Sequence, residues 1–122
     1  MATIAVVEDN ADNRLLLQAI LGDQYELVEY DNGAEALDGI GRSRPDLVLL
    51  DISLPGMDGN EILQRIRRDA ALRDLPVIAL TAHAMAGDRE KFLAAGFDDY
   101  ITKPIVDESQ LFSAIKRLLG KR

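Results

Sequence analysis

The chain has no cysteine, so disulfides and thiolate metal sites are excluded, although that absence does not itself fix a compartment. It has one histidine, His83, with no second imidazole to pair it. Long apolar runs are also missing. The opening stretch MATIAVVEDN has no basic leader, and its apolar run breaks at Glu8 and Asp9, before a signal peptide's hydrophobic region or a membrane span is complete. A cytoplasmic protein without membrane insertion is expected. Basic residues are in the minority, 14 against 21 acidic, and the net charge of −7 opposes non-specific attraction to nucleic acid or an anionic membrane. Direct nucleic-acid binding is therefore disfavoured. There is no low-complexity tract and no repeat of the solenoid kind.

What is present is the balance of a globular chain, 48% apolar and 29% charged over 122 residues, enough for one compact core. Residues 1–122 are expected to form a single domain. Five short runs rich in Val, Ile and Leu recur, over residues 3–8, 25–30, 46–51, 76–81 and 97–101. The first, third and fourth are almost continuously apolar, the mark of strands covered on both faces. Between them lie segments of helical period. In ADNRLLLQAILGD, residues Leu16, Leu17, Ile20 and Leu21 share a stripe, with Gly22 following as a C-terminal cap. In the last helix Leu111, Ile115, Leu118 and Leu119 are expected inward, with acids at its start and bases at its end. Gly39 and Gly41 each cost about 1 kcal/mol in a helix interior, so the second helix is expected to be short or held by packing. Strand then helix, five times over, predicts a doubly wound parallel α/β domain with helices on both faces of the sheet.

In open α/β sheets the binding crevice lies beyond the carboxyl ends of the strands. The stretch LVLLDISLPGMDG places a carboxylate, Asp51, at the tip of a buried strand, where desolvation is costly unless a cation or chemistry accompanies it. The other strand ends supply partners: Glu8 and Asp9 after the first, Thr81 after the fourth, and Lys103 before Pro104 after the fifth. This set suits a phosphoryl group handled on a divalent metal. Mg²⁺ takes oxygen ligands, which Asp9 and Asp51 offer directly and Glu8 through a bound water. A carboxylate can act as nucleophile and form an aspartyl phosphate, a role for the central Asp51. Lys103 and Thr81 supply the cation and hydroxyl that stabilise a transferring phosphoryl group, and Ala82 leaves it room.

The blocks VVEDN, LLDISLPGMDG, ALTA and ITKPI resemble, in the same order, the signature blocks of response-regulator receiver domains, from about Thr3 to the last helix. The likeness is to chemotaxis-regulator-like receivers, and most of all to stand-alone receivers or those of phosphorelays and hybrid histidine kinases. It implies a flavodoxin-like five-stranded sheet of order 2-1-3-4-5 with five helices. It further implies that Asp51 is the phospho-acceptor, that Glu8, Asp9, Asp51 and the Ser53 backbone carbonyl bind Mg²⁺ (or Mn²⁺), and that Lys103 pairs with phosphoryl oxygens. The peptide between Lys103 and Pro104 would be cis, and Thr81 and Tyr100 would be the switch pair. Phosphate would draw the Thr81 hydroxyl inward and Tyr100 would fill the vacated space, changing the surface of the fourth helix, fifth strand and fifth helix, from about Ala84 to Leu119. The implied partners are a histidine kinase or histidine phosphotransfer protein upstream and an effector protein downstream. Ser53 and His83 fall at variable positions that tune phosphate lifetime.

Each residue also has a plainer reading. Asp9, Asn10 or Asp12 could cap the first helix, Thr81 could end a strand, Lys103 could be a solvated surface lysine, and LPGMDG could be a turn built on Gly56 and Gly59. Convergence of several strand ends at one edge argues for the functional reading. An aspartate-nucleophile phosphatase would commonly carry an acid two residues beyond the nucleophile, where this chain has Ser53. A flavodoxin-like nucleotide carrier would bind phosphate through hydroxyls and amides, whereas VEDNADN repels an unchelated phosphate. A degenerate receiver would lack one of the matched residues. The chain starts with Met and stops soon after the fifth helix, which leads us to expect either a free-standing switch or a receiver excised from a longer kinase. Any catalysis would be confined to its own phosphotransfer and dephosphorylation.

Overall fold

The computed structural model describes residues 1–54, 56–82, 88–103, 105 and 107–120. Strands and helices alternate: β1 (Thr3–Val7), α1 (Ala11–Leu21), β2 (Glu26–Tyr30), α2 (Gly33–Arg42), β3 (Leu47–Asp51), α3 (Gly59–Arg68), β4 (Val77–Thr81), α4 (Asp88–Ala95), β5 (Asp99–Thr102) and α5 (Glu108–Leu119). The sheet order is β2-β1-β3-β4-β5 and every pairing is parallel. Chain direction through the sheet reverses at β1, whose neighbours are β2 on one side and β3 on the other. The crevice at such a reversal lies between the carboxyl ends of β1 and β3.

Burial follows the apolar pattern. β3 and β4 are buried at every residue, whereas the edge strand β2 keeps Glu26, Val28 and Glu29 exposed. Alternation along β3 sends Val48 and Leu50 into one core layer, with Ile62 and Ile66 of α3, and Leu47 and Leu49 into the other, with Leu17 of α1 and Leu111 of α5. The two-residue period of a strand thus divides the core into two layers across the sheet.

The helices begin where the sequence supplies caps. Asn10, Asn32 and Asp58 each accept the backbone N–H three residues on, and Asp107 accepts that of Ser109. Gly22 is the C-cap of α1 as expected. The apolar stripe of α1 is narrower than expected, because Leu17 and Leu21 are buried while Leu16 is 40% exposed. Successive helix residues are separated by about 100°, which leaves Leu16 on the rim beside Ile105 rather than over the sheet. On α5, Leu111, Ile115 and Leu118 are buried and Leu119 is half-buried. The second helix runs to ten residues despite its glycines. A methyl group on Gly39 would lie 2.2 Å from the Tyr30 hydroxyl, so the glycine that weakens the helix is also what allows its close approach to Tyr30. β5 starts at Asp99 rather than at residue 97, since Phe97 turns into the core edge-to-face against Phe92.

One side chain ties the lower loops together. Arg67 of α3 donates to the carbonyls of Leu75 (2.6 Å), Arg73 (3.0 Å) and Gly96 (2.8 Å), and to Asp98 Oδ2 at 3.0 Å. Asp98 Oδ2 also accepts the Val77 N–H at 2.8 Å, so the guanidinium sets where β4 and β5 begin.

Candidate functional site

Strand alternation decides which side chains meet. Ile4 and Val6 face the α1/α5 layer and Glu8 continues that series; Leu47 and Leu49 lead likewise to Asp51, and Ile101 to Lys103. Glu8, Asp51 and Lys103 therefore emerge on the same side of the sheet at its carboxyl edge. The Lys103 ammonium lies 3.0 Å from Glu8 Oε1 and 3.1 Å from Asp51 Oδ2. Glu8 is 0% and Asp51 2% exposed, and the lysine side chain only 18%. Ordinary burial of two carboxylates would be prohibitive, and a bonded cation between them offsets it.

The other residues at this edge come from turns. Asp9, exposed beside Glu8, completes a group of three carboxylates whose ligand oxygens lie within 4.8 Å of one another. Asn10, and not Asp9, caps α1, which leaves the Asp9 carboxylate outside the helix-capping role. Ser53, exposed just past β3, donates its N–H to Asp51 Oδ1 at 2.9 Å. Gly56 in this turn takes a left-handed backbone, φ 82°, while Gly59 serves another purpose. A methyl group at Gly59 would lie 2.6 Å from the Ile52 Cα and 2.8 Å from the Asp51 carbonyl, so only glycine lets α3 start this close to the end of β3.

Thr81 is 2% exposed, and its carbonyl accepts the Lys103 N–H at 2.7 Å, fixing the backbone that carries the lysine. Thr81 continues the series of Val77 and Ala79, so it belongs to the α2/α3/α4 side, with Tyr100. The Tyr100 ring is 5.4 Å from that of Phe92 on α4 and borders a 550 Å³ groove with Arg89, Asp99, Ser113 and Arg117. The residues carrying charge and those of the expected switch thus occupy opposite sides of the same edge. His83, Pro104 with the Lys103–Pro104 bond, and residues 84–87 of the expected output surface lie outside the described residues.

The charges shift one another. Burial, reinforced by the neighbouring Asp51, raises the pKa of Glu8 above the ordinary carboxyl value, against the opposing pull of the Asn10 N–H and Lys103. Burial pulls Lys103 down, but its bonds to Glu8 and Asp51 outweigh this and leave it raised. All-oxygen donors, carboxylates crowded close enough to repel, and one exposed member fit a hard divalent cation. At Mg–O distances of about 2.1 Å, two direct ligands lie at most about 4.2 Å apart, so the group needs only slight closure or one intervening water.

Two contributors were not singled out from sequence. Asn13 Nδ2 donates to Glu8 Oε1 at 3.2 Å, and an Arg14 guanidinium nitrogen donates to the Glu8 carbonyl at 2.7 Å. Once Asn10 is taken as the cap, positions three and four further on lie over the residues before the helix, and that spacing was the available signal.

The response regulator receiver domain model matches residues 4–116. The chain belongs to the response regulator receiver family. Over 119 residues it is 41% identical to the polar-differentiation response regulator DivK of Brucella anthropi, covering 97% of this chain and 96% of that one. It is also 41% identical over 121 residues to the sensor protein GacS of Pseudomonas syringae pv. syringae, covering 96% of this chain but only 13% of GacS. Among solved structures, the receiver domain of the sensor histidine kinase PA1611 from Pseudomonas aeruginosa PAO1 is 37% identical with a TM-score of 0.87, covering 98% of each chain. That structure has a magnesium ion coordinated in its active-site cleft. The receiver is thus similar both to a protein of its own length and to a small part of a much longer kinase. Among its described residues no helix is long and apolar enough to cross a membrane.

Proposed function

We propose that this receiver is a phosphorylation switch that takes a phosphoryl group from a partner's phosphohistidine onto Asp51. The observation that carries the reading is the buried Asp51 carboxylate, bonded to Lys103 at the sheet's reversal point beside two further carboxylates. A carboxylate oxygen of Asp51 attacks phosphorus, an O–P bond forms, the P–N bond of the donor breaks, and its electron pair returns to the imidazole. Lys103 moves from the carboxylates to the phosphoryl oxygens, and the Thr81 hydroxyl donates to another. Glu8, Asp9, Asp51 and the Ser53 carbonyl would hold Mg²⁺, or Mn²⁺. When bound, the cation neutralises the carboxylates and the negative charge of the arriving group.

Switching follows from a local change in charge. Thr81 turns toward the phosphoryl group and Tyr100 moves into the space it leaves, biasing two arrangements of the α4, β5 and α5 surface. The partners are a histidine kinase or histidine phosphotransfer protein and an effector protein, and we place the protein in the cytoplasm. The first reading is a free-standing switch, on the likeness to the response regulator DivK. The match to 13% of GacS favours the second reading, a receiver belonging to a hybrid kinase.

The test is intact mass after incubation with acetyl phosphate and Mg²⁺. The expected result is one added phosphoryl group, lost in Asp51→Asn and in the presence of a chelator. An adduct that survives in Asp51→Asn would overturn the assignment.

A further inference from the structure

Glu8 is gripped from two directions. The Asn10 N–H holds Oε2 at 3.1 Å, while Oε1 is shared between Asn13 Nδ2 at 3.2 Å and Lys103 Nζ at 3.0 Å. Behind the carboxylate, Arg14 holds the residue's own carbonyl at 2.7 Å. The first turn of α1 therefore fixes residue 8 by both backbone and side chain, through bonds that do not involve Lys103.

This asymmetry matters if the site works as proposed above, and the inference rests on that reading. When Lys103 turns to an arriving phosphoryl group, Oε1 of a fully buried carboxylate loses the one charged donor it has among the described residues. A buried acceptor stripped of its partner is costly, and the cost would oppose Lys103's departure. Asn13 is the donor already in place on that oxygen. We infer that Asn13 is a positioning residue whose side-chain amide holds Glu8 oriented and satisfied while Lys103 moves, and so sets both cation affinity and the ease of phosphoryl acceptance. Partners one layer behind a metal site commonly change affinity or activity by about 10- to 100-fold when removed.

The competing account is that Asn13 only stitches α1 to the end of β1. The two are separable because the helix cap uses the backbone N–H of Asn13, not its side chain. Asn13→Leu removes the donor at nearly constant size, and Asn13→Gln restores an amide on a longer stem. Mg²⁺ affinity is measured by calorimetry, the melting temperature of the metal-free protein is measured in parallel, and phosphorylation by acetyl phosphate is timed at saturating Mg²⁺. The expected result is a Kd for Mg²⁺ about tenfold weaker in Asn13→Leu, slower phosphorylation even at saturation, partial recovery in Asn13→Gln, and nearly unchanged metal-free melting. Wild-type affinity in Asn13→Leu overturns the inference. So does a loss that simply follows a fall in metal-free stability and is not rescued by Gln. If the wild-type protein itself neither binds Mg²⁺ nor gains a phosphoryl group, the underlying reading of the site falls, a result distinct from failure of Asn13 alone.

Discussion

Replacing Lys103 by methionine keeps most of the stem and deletes the charge that lies 3.0 Å from Glu8 and 3.1 Å from Asp51. Two buried carboxylates are then left facing each other, and the cheapest remedy is for one to keep its proton. Glu8 is the one expected to do so, since burial and its neighbour already raise it from 4.5. Holding a proton on a carboxyl group of ordinary pKa 4.5 costs 1.36 kcal/mol for each pH unit above that value. The additional loss is therefore capped at about 3.4 kcal/mol at pH 7 and about 0.7 kcal/mol at pH 5. The sign follows from linkage: a carboxyl raised in the folded state makes the native form bind more protons than the unfolded one, so stability falls as pH rises. Against a total of about 6–18 kcal/mol for a chain this size the variant stays folded. Thermal or urea unfolding of the metal-free proteins at pH 5 and pH 7 checks it. The melting deficit at neutral pH should reach about 10–15 °C at most and shrink to a few degrees at pH 5. An equal deficit at both values, or none, would refute the reasoning.

Other consequences follow from the same geometry. Mg²⁺ competes with a proton for Glu8, so its stabilisation should be larger at pH 8 than at pH 5, and at tenfold excess over Kd should be worth about 1.4 kcal/mol; melting curves with and without the ion at each pH test this. Gly59→Ala pushes a methyl group against backbone 2.6 Å away at Ile52, so a loss of about 1–3 kcal/mol is expected together with slower phosphorylation, because Asp51 moves with that backbone. Arg67→Ala removes bonds to three carbonyls and Asp98, at the opposite end of the strands from Asp51, and should cost about 2–4 kcal/mol in urea unfolding while leaving phosphorylation by acetyl phosphate at its wild-type rate.

Much of the architecture was legible because buried parallel strands carry continuous apolar runs, as in β1, β3 and β4, and because Asn and Asp mark helix starts. The edges were less so: β5 begins two residues late because Phe97 is core before it is strand, and Leu16 follows the stripe of α1 yet sits at its rim. The strand-final carboxylates and Lys103 could be named from sequence, since topology alone brings strand ends together. Which of them share a side of the sheet came from the structure, where the two-residue period aligns Glu8, Asp51 and Lys103 and opposes Thr81 and Tyr100, whereas the sequence reading gathered all of them at one edge. What sequence did not reveal was the grip of Asn13 and Arg14 on Glu8, because the α1 side chains that fold back over the preceding turn depend on where the cap falls.

The measurement that tests the central claim most directly is borohydride trapping after phosphorylation with acetyl phosphate and Mg²⁺, followed by peptide mapping. An acyl phosphate on a carboxyl is reduced to the alcohol, so Asp51 should be recovered as homoserine, with Glu8 and Asp9 unchanged and no conversion in protein that was not phosphorylated. Reduction at Glu8 or Asp9, or phosphorylated protein with Asp51 intact, would contradict the account.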